Sequence, residues 1–99
     1  MNPIEIIVET TQTIAKDSTD ASAYKKRAIV LSQMAQFDDA LKDLDALIDT
    51  LKVEDAEVFQ LRGSIRMQKG DKKGALEDVK RAMEINPELI KMFEGEYKK

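Results

Sequence analysis

Residues 56–87 read AEVFQLRGSIRMQKGDKKGALEDVKRAMEINP, and residues 21–52 read ASAYKKRAIVLSQMAQFDDALKDLDALIDTLK. Shifting one onto the other by 35 places Ala21 on Ala56, Arg27 on Arg62, Gln33 on Gln68, Ala40 on Ala75 and Asp43 on Asp78, all identical. Tyr24 meets Phe59, Ala28 meets Gly63, Val30 meets Ile65, Leu41 meets Leu76, Leu44 meets Val79 and Ile48 meets Met83, each keeping its size class. Within each copy the apolar positions recur at helical rather than alternating spacing. Phe37, Ala40, Leu41, Leu44, Leu47, Ile48 and Leu51 draw one stripe, with Asp38, Lys42, Asp45 and Asp49 elsewhere on the same helix. Ala75, Leu76, Val79, Ala82 and Met83 draw it again. Gly70-Asp71 supplies the left-handed residue and the side-chain acceptor of a tight inter-helix turn, Ala35-Gln36 stands in the same place, and Pro87 suits the first turn of a following helix. The spacing therefore predicts helix pairs over about 21–34 with 37–51, and 55–69 with 72–85.

Outward from this duplicated core, Ile7, Val8, Thr11, Ile14 and Ala15 copy the spacing of Ala40, Leu41, Leu44, Leu47 and Ile48 at a shift of 33. In the expected helix Ile4, Ile7, Val8, Ile14 and Ala15 face one way, and Ile6 and Thr13 another. At the other end Leu89, Ile90, Phe93 and Tyr97 are spaced to lie over the preceding helix. The expected organisation is a single domain over residues 1–99: a half-repeat at 2–17, repeat one at 21–54, repeat two at 56–87 and a capping helix at 88–97. The fold class is all-α, with about six helices. The two copies hide their apolar stripes against neighbours, as helical-hairpin arrays do.

A hairpin of this length with small residues where helices touch resembles the tetratricopeptide repeat. Phe59 stands at the family's aromatic position, Gly63 at the small residue of the first helix, Gly70-Asp71 at the turn, Ala75 and Ala82 at the small residues of the second helix, and Pro87 at the closing proline. In the first copy Tyr24, Ala28, Phe37 and Ala40 match, while Leu47 replaces the second alanine and Lys52 the proline. The resemblance implies a right-handed α-solenoid whose first helices line a concave groove that binds peptides or protein segments. Onto that groove it maps Lys25, Lys26, Ile29, Gln33, Gln60, Leu61, Ser64 and Gln68, flanked by Ser22 and Glu57, with Lys91, Glu94 and Lys98 extending the strip. One subset of the family grips chaperone C-terminal carboxylates with lysines and asparagines. Here Lys25 matches one clamp lysine, but Ile29 and Leu61 stand where the asparagines would be, which argues against that ligand. A related variant pairs an Arg on the first helix with an Asp on the second. Arg27 with Asp43 and Arg62 with Asp78, each 16 residues apart, read as such structural pairs rather than anion receptors.

Composition narrows the function classes. The 99 residues contain no Cys and no His, which removes thiolate nucleophiles, imidazole acid/base chemistry and the usual zinc ligands, so no enzyme activity and no cofactor is expected. The carboxylates Asp38, Asp39, Asp43, Asp45 and Asp49 read as a solvated ring round one helix, and no metal site is expected from them. A net charge of −3 gives no broad positive field for phosphate, which argues against nucleic acid, including the RNA that a 35-residue helical hairpin can also read. The longest apolar run, Ala28 to Leu31, is too short for a span or leader core, so a cytoplasmic chain is expected. The expected function is a non-catalytic interaction module for a peptide or protein. The alternative is a scaffold that dimerises or assembles through its terminal helices.

Overall fold

Four helix starts carry a short polar side chain that closes the first turn. Asn2 accepts from the Glu5 amide at 2.9 Å, Asp20 from Ala23 at 3.0 Å, Asp55 from Glu57 at 2.9 Å and Asp71 from Gly74 at 2.9 Å. Each such cap satisfies an amide that the helix leaves without an internal partner, worth about 1 kcal/mol. In the computed structural model, which describes residues 1–91, these caps open α1 (Pro3–Lys16), α2 (Ala21–Gln33), α4 (Ala56–Gln68) and α5 (Lys72–Ile85). The remaining helix, α3 (Phe37–Asp45), has no side-chain cap at Gln36 and runs on into a π-helical turn, Ala46–Thr50. Residues 88–91 are again helical. With α3 and its π turn taken together, the described residues form six helical stretches and no strand. No described helix is long and apolar enough to cross a membrane.

The chain divides into two compact units, residues 1–53 and 54–99. In the first, α2 packs against both α1 and α3; in the second, α4 packs against α5. The duplication read from the sequence reappears in the element bounds: Ala21–Gln33 becomes Ala56–Gln68, and residues 37–50 become Lys72–Ile85, both at a shift of 35. The connecting turns repeat bond for bond. The Gln36 amide donates to Leu31 O at 2.8 Å and Ala35 to Ser32 O at 3.0 Å; Asp71 donates to Arg66 O at 2.8 Å and Gly70 to Met67 O at 3.1 Å. This is a Schellman closure, and it requires a left-handed residue, supplied by Ala35 at φ 59° and Gly70 at φ 88°.

The cores follow from close helix approach. In the first unit Ala28, Ala40, Leu44 and Leu47 are essentially sealed, and in the second Val58, Ile65, Ala75 and Ala82 are. A side-chain carbon added at Gly63 would meet Ala75 O and Asp78 Cβ, both at 3.2 Å, so α5 crosses α4 where only the smallest side chains fit.

Several expectations are corrected. The one side read for α1 divides in two: Ile7 and Ile14 are half-buried with Ile6 and Thr13 around the buried Thr10, while Ile4, Val8, Thr11 and Ala15 are exposed. Burial along α1 matches α3 at a shift of 34, not 33, setting Ile6 on Ala40, Thr10 on Leu44 and Thr13 on Leu47. Threonine reads as a surface residue, yet the Thr10 hydroxyl donates to Ile6 O at 2.7 Å and Ile7 O at 3.1 Å, so its polarity is satisfied within the helix. Leu76, placed on the inner stripe of α5, is exposed. Asp43, counted in the solvated acidic ring, is buried, because Arg27 draws it inward. Lys52, which stands at the closing-proline position, has φ 56°, a value the proline ring forbids; the Val53 amide reaches Leu47 O at 2.9 Å across the π turn. Of the predicted capping helix, Phe93 and Tyr97 lie outside the described residues.

Candidate functional site

Each first helix buries one side and shows another. On α2 the inner set is Ala23, Ala28, Val30 and Leu31; on α4 it is Val58, Phe59, Arg62, Gly63 and Ile65. Helical periodicity then turns Ser22, Lys25, Lys26, Ile29 and Gln33 away from that set on α2, and Glu57, Gln60, Leu61, Ser64 and Gln68 on α4. Lys26 and Gln33 are exposed, and Lys25 and Ile29 half-buried; Ser64 and Gln68 are exposed, and Gln60 and Leu61 half-buried. Each strip thus offers a half-covered aliphatic side chain ringed by polar ones. Lys91 is exposed, and Glu94 and Lys98 lie outside the described residues.

The arginines are anchored, not presented to solvent. Arg27 donates Nε to Asp43 Oδ2 at 2.8 Å and Nη2 to Oδ1 at 2.6 Å, with Nη1 on Thr11 Oγ1 at 3.1 Å. The Asp43 hydrogen bond holds the Arg27 guanidinium above its ordinary value against the opposing effect of burial. Arg62 makes the same fork to Asp78, at 3.0 and 2.9 Å, and Arg66 adds a third bond from Nη1 to Asp78 Oδ2 at 3.0 Å. The aromatic partners repeat too: Arg27 lies 5.9 Å from the Tyr24 ring centre and Arg62 5.8 Å from that of Phe59. Two-pronged geometry of this kind fixes the second helix against the first and spends the guanidinium charge internally.

Each unit carries a cleft on this frame. In the second unit a cleft of about 300 Å³ is almost wholly apolar, with Met67, Leu76, Val79, Met83 and Leu89 around the predicted strip residues Gln60 and Ser64. In the first unit a polar cleft of about 280 Å³ is lined by Ile7, Thr11, Arg27, Asp39, Lys42 and Asp43. Sequence reasoning missed the apolar cleft, because Met67 carried no functional assignment and Leu76 was placed in the core; the signal was a Leu and two Met residues flanking one small-residue crossing. Among the described residues, no group of three or more acidic side chains is placed to hold a metal ion. No protein-family model and no curated protein matches this chain.

Proposed function

We propose that the chain is a tetratricopeptide-like interaction module without catalysis of its own, in which the outward strip of α2 and the outward strip of α4 are each a contact surface for a peptide or protein segment. The observation that carries this reading is the recurrence, at a shift of 35, of a whole hairpin: helix bounds, Schellman turn, Arg–Asp fork and aromatic position. A hairpin duplicated with its internal polar groups satisfied serves as a scaffold, and the outward strips of the two copies differ everywhere but at Gln33 and Gln68. Lys25 and Lys26 make the α2 strip basic, whereas α4 offers Gln60, Ser64 and Gln68 as neutral hydrogen-bonding groups. The α2 strip suits a segment with an acidic residue and an apolar anchor near Ile29, and the α4 strip one with amide or hydroxyl side chains and an apolar anchor near Leu61.

A displayed library of random peptides, selected on the full chain and followed by calorimetric titration of the isolated peptides, tests the proposal. Selected peptides should be enriched in acidic and aliphatic residues, and Ile29→Asp should weaken those held by α2, and Leu61→Asp those held by α4, on the order of tenfold or more. Peptides that bind both variants as tightly as they bind the parent chain would remove these strips from consideration.

A further inference from the structure

α1 occupies the place of a second helix in the repeat, and comparison with the other two second helices isolates what is unusual about it. At the shifts fixed by burial, Ile4, Val8, Thr11 and Ala15 correspond to Asp38, Lys42 and Asp45 of α3 with Asp49 of its π turn, and to Lys73, Glu77, Lys80 and Glu84 of α5. All twelve positions are exposed. In α3 and α5 every one of them is charged; in α1 none is. The packing of the hairpins does not ask for apolar side chains there, since two helices in the same place carry ions, and Ile4 and Val8 remain 65% and 50% exposed, with Met1 beside them at 77%.

The occupant is indicated by what lies along the edge of this strip. Glu5, Glu9, Gln12 and Lys16 form the adjoining polar row, all exposed, acidic at the helix start and basic at its end. A helix with this polarity is complementary to itself turned end for end. About a two-fold axis between Val8 and Thr11, Ile4 of one chain lies against Ala15 of the other and Val8 against Thr11, a large side chain meeting a small one at each contact. Lys16 then lies within one helical turn of Glu5 of the second copy at each end, while Glu9 and its symmetry mate flank the axis. The macrodipoles oppose, which also favours the antiparallel sense. Parallel, in-register pairing instead sets Ile4 on Ile4, Ala15 on Ala15 and the two acidic ends together.

We infer that this face of α1 is a self-association surface, on which a second copy of the chain docks antiparallel through Ile4, Val8, Ala15 and the methyl group of Thr11, whose hydroxyl already accepts from Arg27 at 3.1 Å. One pair of 14-residue helices falls at the small end of specific interfaces, below about 1,200 Å² in total, so the dimer is reversible. The inference is independent of the peptide strips, which lie on α2 and α4.

Sedimentation equilibrium of the full chain over micromolar to millimolar concentrations should show a monomer–dimer equilibrium. Ile4→Lys with Val8→Glu, which writes the α5 charges onto α1, should leave a monomer throughout with unchanged helical circular dichroism. Lys16→Glu, which sets like charges at both ends of the pairing, should weaken association on the order of tenfold. The chain has no cysteine, so register can be read by cross-linking: Ile4→Cys with Ala15→Cys should oxidise to a covalent dimer, and Ile4→Cys alone should not. A wild-type chain that stays monomeric overturns the inference. So does a dimer that survives Ile4→Lys with Val8→Glu, or one in which Ile4→Cys alone cross-links as readily as the pair. None of these results bears on peptide titrations at Ile29 and Leu61, so either reading can fail without the other.

Discussion

The two hairpins solve one packing problem with different side chains. In both, a buried aspartate on the second helix is forked by an arginine on the first, with the Arg27 side chain 20% exposed and that of Arg62 9%. In the second hairpin Asp78 receives another cation, Arg66, at the place where the first hairpin has the buried Leu31. The second hairpin also has the better turn: a glycine at the left-handed position and Asp71 capping the next helix, against Ala35 and an uncapped Gln36. The first ends its second helix in a π turn with Lys52 left-handed; the second ends at Asn86 before Pro87. Backbone geometry is thus held by a few positions, while the chemistry at each tolerates substitution so long as buried polar groups keep partners and the left-handed residue is present.

The largest effect expected from unbalancing the pair is at the buried acids. Arg27→Met strands Asp43 and should lower stability by about 3 kcal/mol in urea unfolding. Arg62→Met should cost less by about 1 kcal/mol, because Arg66 still serves Asp78, and adding Arg66→Met should restore the full loss. Equal losses for Arg27→Met and Arg62→Met would show that Arg66 contributes nothing. Next come the helix crossings: Ala40→Leu and Ala75→Leu should each cost about 1–3 kcal/mol by overpacking, and a melting curve indistinguishable from the parent in either would break the equivalence of the two crossings. Smaller still is the turn. Giving the first hairpin the turn of the second, by Ala35→Gly with Gln36→Asp, should stabilise it by about 1 kcal/mol, and Gly70→Ala should destabilise the other by a similar amount.

The smallest effect lies outside the comparison, in the turn before α2. The Thr19 hydroxyl donates to Asp17 Oδ1 at 2.6 Å and the Thr19 amide at 3.0 Å, and these bonds hold the Asp17 carboxyl below its ordinary value. A carboxyl lowered on folding adds stability that is present above its unfolded pKa and is lost as pH falls through its folded one. Carbon-detected titration of Thr19→Val should find the Asp17 carboxyl moved up toward the ordinary carboxylate value. An unmoved titration would mean that the hydroxyl bond does not form.

Much of this architecture was legible because it is written twice. Helix bounds, the turn at Gly70-Asp71 and the pairing of Arg62 with Asp78 each had a second copy to check against. The side of α1 that is buried was not legible, because its deciding residue, Thr10, is polar and its hydroxyl is satisfied by the helix's own carbonyls. The π turn was equally hidden: Ala46 to Thr50 continue an unbroken helical pattern, and only the backbone shows the extra residue that brings Lys52 left-handed. At the candidate site, periodicity placed Lys26, Gln33, Ser64 and Gln68 on the surface, while the apolar cleft around Met67 and Leu76 depends on how α4 and α5 cross.

The account rests most heavily on the equivalence of Arg27–Asp43 and Arg62–Asp78 as the polar clasps of two like hairpins. Paired double-mutant cycles, with each Arg replaced by Met and each Asp by Leu singly and together, measure this directly. A coupling above about 1 kcal/mol in both cycles is expected for contacting buried charges. Coupling near zero in either would mean that the two hairpins are not held together in the same way.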